Sequence, residues 1–178
     1  QGVAGLDYRK VRDQAGDIGS LVHYLILSAL RDIEPDLSDY SQNDITATTI
    51  PLGNFSYWGL GHTLEPLLLE TPLVSEQYKF GGTPDFYGKD NGKLTLLDFK
   101  TSRAVYQENF YQLAAYVKLL EEHGYLVESA RIVRISKIID EAFDDRPAGN
   151  LENCWNIFLA CQQIYELQKK TRKQKEDE

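Results

Sequence analysis

The sequence predicts an α/β domain in which a mixed central sheet is flanked by helices. Two observations predict it. Apolar residues recur at helical spacing near both ends of the chain and again in its middle, while the runs between them are short and β-prone, one pair joined by an Asn-Gly turn signal. The order is helix, helix, three strands that read as antiparallel, helix, strand, helix, an order that packs helices onto a sheet.

The chain has 178 residues, which suits a single domain spanning residues 1–178, with a charged tail from about residue 169 that reads as frayed. Apolar residues make up 42% and charged residues 26%, the balance of an ordinary globular chain. No apolar run is long enough for a membrane span, and the opening QGVAGLDYRK has neither Met nor an apolar signal region. The net charge of −8 argues against a broad basic surface for nucleic acid. It is compatible with phosphate held through a cation, because the ion offsets nearby carboxylates. Cys154 and Cys161 lie two turns apart on one helix, too far to bridge; they read as small buried hydrophobes in a reducing compartment.

In chain order, residues 11–30 predict a helix with a wide apolar stripe (Leu21, Val22, Leu25, Ile26, Leu27, Leu30). Gly16 and Gly19 let its first half approach another backbone closely. Two readings of His23 stay open: a core histidine bonded to a carbonyl, or a metal ligand at the inner end of the helix. Residues 32–51 read as a polar loop with room for a short helix, and 57–69 as an apolar helix, with His62 structural. Residues 70–75, broken by Pro72, suit an edge strand; 77–87 a second strand; 93–101 a third, with Asn91-Gly92 in the hairpin turn between the last two. On the third strand Leu94, Leu96, Asp98 and Lys100 share one face and Leu97 and Phe99 the other. A charge at the buried end of a strand costs several kcal/mol unless paired or metal-bound, so Asp98 and Lys100 require partners. Residues 104–123 predict a helix ended by Gly124, with Gln112 and Tyr116 four apart on one face. Residues 129–137 predict a fourth strand, 140–149 a polar loop, and 150–168 an amphipathic helix.

Four short motifs stand in order: Gly19-Ser20-Leu21-Val22-His23, Gly82-Thr83-Pro84-Asp85, Asp98-Phe99-Lys100-Thr101-Ser102 and Gln112-Leu113-Ala114-Ala115-Tyr116. Each alone is weak; together they are far more specific. In these motifs the chain resembles the RecB-like branch of the PD-(D/E)XK nuclease superfamily, over roughly its first two-thirds, and most closely the stand-alone phage or mitochondrial-type exonucleases of that branch.

The resemblance implies a restriction-endonuclease-like αβββαβ core. It implies that Asp85 and Asp98, with the backbone carbonyl of Phe99 and with His23 as a further ligand, hold Mg2+ or Mn2+, and that Lys100 orients the attacking water. It implies that Gln112 and Tyr116 support the site and contact nucleic acid, with Glu70 in a lesser supporting role. The activity implied is metal-dependent DNA hydrolysis from single-stranded ends, threaded past Tyr106, Phe110, Tyr111 and Tyr116. A structure-specific endonuclease or resolvase, or a non-catalytic nucleic-acid-binding subunit, are the alternatives. Two cysteines do not suffice for the four-thiolate iron–sulfur cluster of some relatives. A helicase or recombination protein is the expected partner, and the cytoplasm of a bacterium or phage-infected cell the expected location, with no membrane association.

Overall fold

The computed structural model describes residues 8–176, with side chains from 18 to 172; the opening QGVAGLD and the final Asp177 and Glu178 lie outside the described residues. The elements are α1 (Tyr8–Leu30), α2 (Gln42–Ala47), α3 (Thr49–Gly59), β1 (Leu64–Leu69), β2 (Leu73–Ser75), β3 (Phe80–Gly82), β4 (Phe86–Asp90), β5 (Lys93–Lys100), α4 (Gln107–Glu122), β6 (Ser129–Ile135), β7 (Phe143–Pro147) and α5 (Glu152–Glu176). The main sheet has the order β1-β4-β5-β6-β7. Only β5 and β6 are parallel, and α4 is the crossover that this pairing requires; the other neighbours run antiparallel. The sheet is therefore mixed, as the order of segments predicts.

Each face of β5 feeds its own core. Leu97 and Phe99 join Val22, Ile26, Trp58, Phe86, Val133 and Ile135 beneath α1 and α3. Leu96 joins Tyr87, Leu113, Leu119, Leu120 and Ile132 beneath α4. The period-two alternation of this strand thus decides which layer each residue meets. The β4–β5 turn is the two-residue loop Asn91-Gly92, with φ of 50° and 84°, the positive values that only Asn and Gly adopt readily. Gly124, at φ 81°, follows the end of α4.

Several expectations are corrected. The segment 57–69 is not one helix. Its first part closes α3, and Leu64–Leu69 is β1, the edge strand, exposed at Glu65, Pro66 and Leu67 and half-buried at Leu64, Leu68 and Leu69. The edge strand expected at 70–75 and the second strand expected at 77–87 are replaced by a separate β2–β3 hairpin followed by β4. Pro84 and Asp85 interrupt the strand between them, since proline offers no N–H to a ladder. The loop expected at 140–149 contains β7, which hydrogen-bonds to the outer edge of β6. Helix α5 continues through the charged residues to Glu176, past the point assigned to a frayed tail. Cys161 is exposed and Cys154 only half-buried, so they are not a buried pair. No helix among the described residues is long and apolar enough to cross a membrane.

Candidate active site

Strand β5 outruns one of its neighbours. Its ladder with β4 reaches only the Leu97–Phe86 pair, whereas β6 accompanies it through Lys100. On the β4 side, the end of β5 has no strand beside it. Asp85, the residue before β4, fills the gap: the Phe99 N–H donates to its Oδ2 at 2.7 Å. Glu70 stands just past the end of β1 rather than at the start of a strand, at φ 48°, and its N–H donates to the Asp85 carbonyl at 3.1 Å. The Glu70 carboxylate lies 3.7 Å from Arg31 Nη2.

Alternation turns Asp98 and Lys100 toward α4. Lys100 Nζ lies 2.7 Å from Asp98 Oδ2 and donates to Gln112 Oε1 at 2.8 Å; Gln112 Nε2 donates to the Tyr116 hydroxyl at 3.0 Å. The i, i+4 pair read from the sequence is thus a relay that ends on the lysine. Gly82 makes room for it, because a Cβ there would stand 2.5 Å from Tyr116 Cε1. Asp98 Oδ2 is buried, and the Lys100 ammonium at 2.7 Å is the charge that faces it.

Burial dominates the electrostatics. It raises the carboxyls of both Asp85 and Asp98 to about 6, against the pull of the Phe99 N–H and Lys100 on the first and of Lys100 on the second. Repulsion from Asp85 adds to the rise at Asp98, and repulsion from Glu70 to that at Asp85. Burial and the Lys100 charge hold His23 below the usual imidazole range. The ring is therefore neutral at neutral pH, and its 3.8 Å separation from Asp85 Oδ1 is no ion pair. Burial and the two aspartates push the Tyr116 phenol up to about 12, so it remains a proton donor at any working pH.

His23 reaches the strand end from the α1 side, where Gly19 allows the helix to come close; a Cβ on Gly19 would stand 2.7 Å from Thr101 Oγ1. His23, Glu70, Phe99 and Lys100 open onto a cleft of about 970 Å³. The structure thus brings His23, Glu70, Asp85, Asp98, Phe99, Lys100 and Gln112 to the C-terminal end of β5, with Tyr116 linked to it through Gln112. It does not bring the predicted aromatics there equally. Phe110 and Tyr116 pack into the core below α4, and Tyr106 is the one that is half exposed.

Among the described residues, no group of three His, Cys, Asp or Glu side chains is placed to hold a metal ion. The donors that do fit a hard divalent cation are the carboxylates of Asp85 and Asp98 beside the Phe99 backbone. Mg2+ takes one or two carboxylates and keeps several waters, so this oxygen set suits it without a third side chain.

Sequence reasoning missed three cations on the cleft wall: Arg103, Arg134 and Lys137. Arg103 was legible only as the residue after the Asp98–Ser102 motif; the other two stand at the end of β6, where nothing periodic marks them. It also missed the partners of His62. That ring stacks on Trp58 at 4.0 Å and bonds through Nδ1 to Asp90 Oδ1 at 2.8 Å, while Asp145 is held by Trp58 Nε1 and Arg131 Nε, each at 2.9 Å. This network lies among α3, β4, β6 and β7, and its residues do not line the cleft.

No family model matches the chain, and no curated protein matches it. In fold it is similar to solved structures. One is a crystal structure from Eubacterium rectale described as "Putative exonuclease", with TM-score 0.56 and 12% identity, covering 85% of this chain. The chain spans 65% of that protein's length. The protein is thus a mixed α/β chain that shares the fold of that structure.

Proposed function

We propose that this protein is a divalent-metal-dependent nuclease of the RecB-like type, cutting phosphodiester bonds of DNA from single-stranded ends. The observation that carries this reading is the end of β5: Asp98 and Asp85 side by side at low exposure, with Lys100 held between Asp98 and Gln112. Two carboxylates of low exposure that repel one another are costly for a fold, and a bound cation offsets that cost. Asp85, Asp98 and the Phe99 carbonyl would hold Mg2+ or Mn2+, with His23 beside them as a neutral ring. When bound, such an ion supplies a Lewis acid for the phosphate and lowers the pKa of a coordinated water.

The chain's own residues do the positioning. Lys100, fixed by Gln112, presents its ammonium to the attacking water and to the charge that develops on the phosphate. Tyr116 stays protonated and holds the Gln112 amide in the orientation that leaves its oxygen to Lys100. Glu70 adds negative charge at the cleft wall. A helicase or recombination protein would supply the single-stranded ends.

End-labelled single- and double-stranded DNA, incubated with Mg2+, Mn2+ or EDTA, tests this beside Asp98→Ala and Lys100→Ala. Release of mononucleotides or short oligomers that needs metal and disappears in both variants supports the exonuclease. Cutting of closed circles would move the assignment to an endonuclease. Binding without cleavage in every metal would refute the hydrolase.

A further inference from the structure

Most side chains that line the cleft are polar or charged, and Phe99, at 1% exposure, offers it little surface. Two large side chains with apolar surface remain: Tyr24 of α1, and Ile138 of the turn between β6 and β7. Tyr24 is half-buried and directly follows His23, whereas Ile138 is 50% exposed. Lys100 pairs in register with Arg134 of the parallel β6, so the turn that carries Ile138 leaves the sheet at the same end as the candidate active site. Ligands of open α/β sheets sit outside such carboxyl ends.

Both side chains are held in place. The Tyr24 hydroxyl accepts the Asp36 N–H at 2.8 Å, which fixes the ring from its far end. In the turn, the Ile138 N–H donates to Ser136 Oγ at 3.0 Å, the Glu141 N–H to the Ile138 carbonyl at 3.2 Å, and the Ser136 N–H to the Ala142 carbonyl at 3.1 Å. Asn54 of α3 donates to the Ser136 carbonyl at 2.9 Å, and the Glu141 carboxylate lies 3.2 Å from Arg134. These polar groups are satisfied within the protein, while the isoleucine among them lines the cleft. A single exposed isoleucine needs no explanation on a protein surface. One on a pinned turn, in the same cleft as Lys100 and His23, meets a ligand at little cost in conformational freedom.

On the nuclease reading above, we infer that Tyr24 and Ile138 form an apolar seat for a nucleobase of the strand that lies in the cleft. A phosphate makes no favourable contact with these side chains, but the face of a base does. Stacking on an aromatic ring tolerates any sequence, because every base has a π-face, and isoleucine is among the side chains that pack against that face. An unpaired base can turn onto the seat, whereas a base within a duplex is already stacked on its neighbours, so the seat favours single strands. It also supplies affinity that does not rest on charge, in a chain whose net charge of −8 repels a polyanion.

The test is equilibrium binding, by anisotropy in EDTA, of two fluorescein-labelled single strands of equal length, one of thymidines and one abasic at every position. They carry the same phosphates and differ only in the bases. The unaltered protein should bind the thymidine strand about fivefold tighter or more. Ile138→Ser should lower that affinity by about threefold or more, and Tyr24→Ser by about fivefold. Affinity for the abasic strand and the slope of log affinity against log salt should stay unchanged in both variants, since no phosphate contact is lost. Ile139→Ser removes the same side chain from the next position of the turn, 72% exposed and outside the cleft lining, and should change nothing. Where Tyr24→Ser lowers the melting temperature, Ile138→Ser decides alone. Equal affinity of the unaltered protein for the two strands, binding of neither, or a loss from Ile138→Ser that is absent, extends to the abasic strand or is shared by Ile139→Ser would overturn the assignment. Because the titration involves no hydrolysis, a protein that shows the base preference without cutting keeps this assignment and loses the nuclease reading. A protein that cuts without the preference loses this assignment alone.

Discussion

Replacing Asp98 by Asn should make the metal-free protein more stable while abolishing its activity. The Asp98 side chain is 2% exposed. Its carboxyl is raised from 3.8 to about 6, first by burial and then by Asp85, with Lys100 opposing. A carboxyl whose folded pKa exceeds its unfolded one contributes its stability below the unfolded value and loses it as pH rises through the folded value. The folded protein without metal therefore weakens between about pH 4 and pH 6, and the whole cost is present at pH 8. Two pKa units correspond to about 3 kcal/mol. For a chain of this size that is roughly 6–12 °C in melting temperature. Asn keeps the shape, removes the charge and still offers an oxygen to Lys100. Thermal melts in EDTA should show Asp98→Asn above the unaltered protein at pH 8, with the gap closing toward pH 4.5. Added Mg2+ should raise the melting temperature of the unaltered protein and leave that of the variant in place. If the variant were less stable at pH 8, or the difference independent of pH, then Lys100 fully compensates Asp98, and the physical case for a cation at this site fails.

Other outcomes follow from the same geometry. Gln112→Leu removes the acceptor that fixes Lys100 Nζ at 2.8 Å; kcat on labelled DNA should fall about tenfold or more, with a smaller change for Tyr116→Phe, because misplaced positioning groups act on the reacting state. Gly82→Ala forces a methyl to 2.5 Å from the Tyr116 ring, and urea unfolding should register a loss of roughly 1–3 kcal/mol. His62→Ala strips a buried partner from Asp90, which is 7% exposed. It should lower stability by about 1–3 kcal/mol, yet leave DNA cleavage at permissive temperature unaltered.

Much of the candidate site was legible because its residues are close in sequence to the elements that carry them. Asp98 and Lys100 share a face by strand alternation, and Gln112 and Tyr116 share one by helical spacing, so both pairs follow from local periodicity. The errors came where periodicity is silent. Leu64–Leu69 is an apolar run that a helix or a strand can explain, and only its pairing with β4 makes it a strand. Residues 140–149 are polar enough for a loop, yet β6 offers a free edge that β7 fills. The site of Glu70, past the end of β1, moved with the first of these errors.

The sequence by itself determined the mixed α/β class, the two faces of β5, the Asn91-Gly92 turn, and the acidic and basic residues gathered at one strand end. These depend on interactions between neighbours a few residues apart. The tertiary structure alone decided that Asp85 closes the gap left by a short β4, that Gln112 lies against Lys100, and that Gly19 admits Thr101 and Lys137. It also decided that Tyr24 of α1 and Ile138 of the β6–β7 turn line the same cleft. Each of these depends on how far one element runs past another and how closely two backbones approach, quantities that packing sets and that no local pattern encodes.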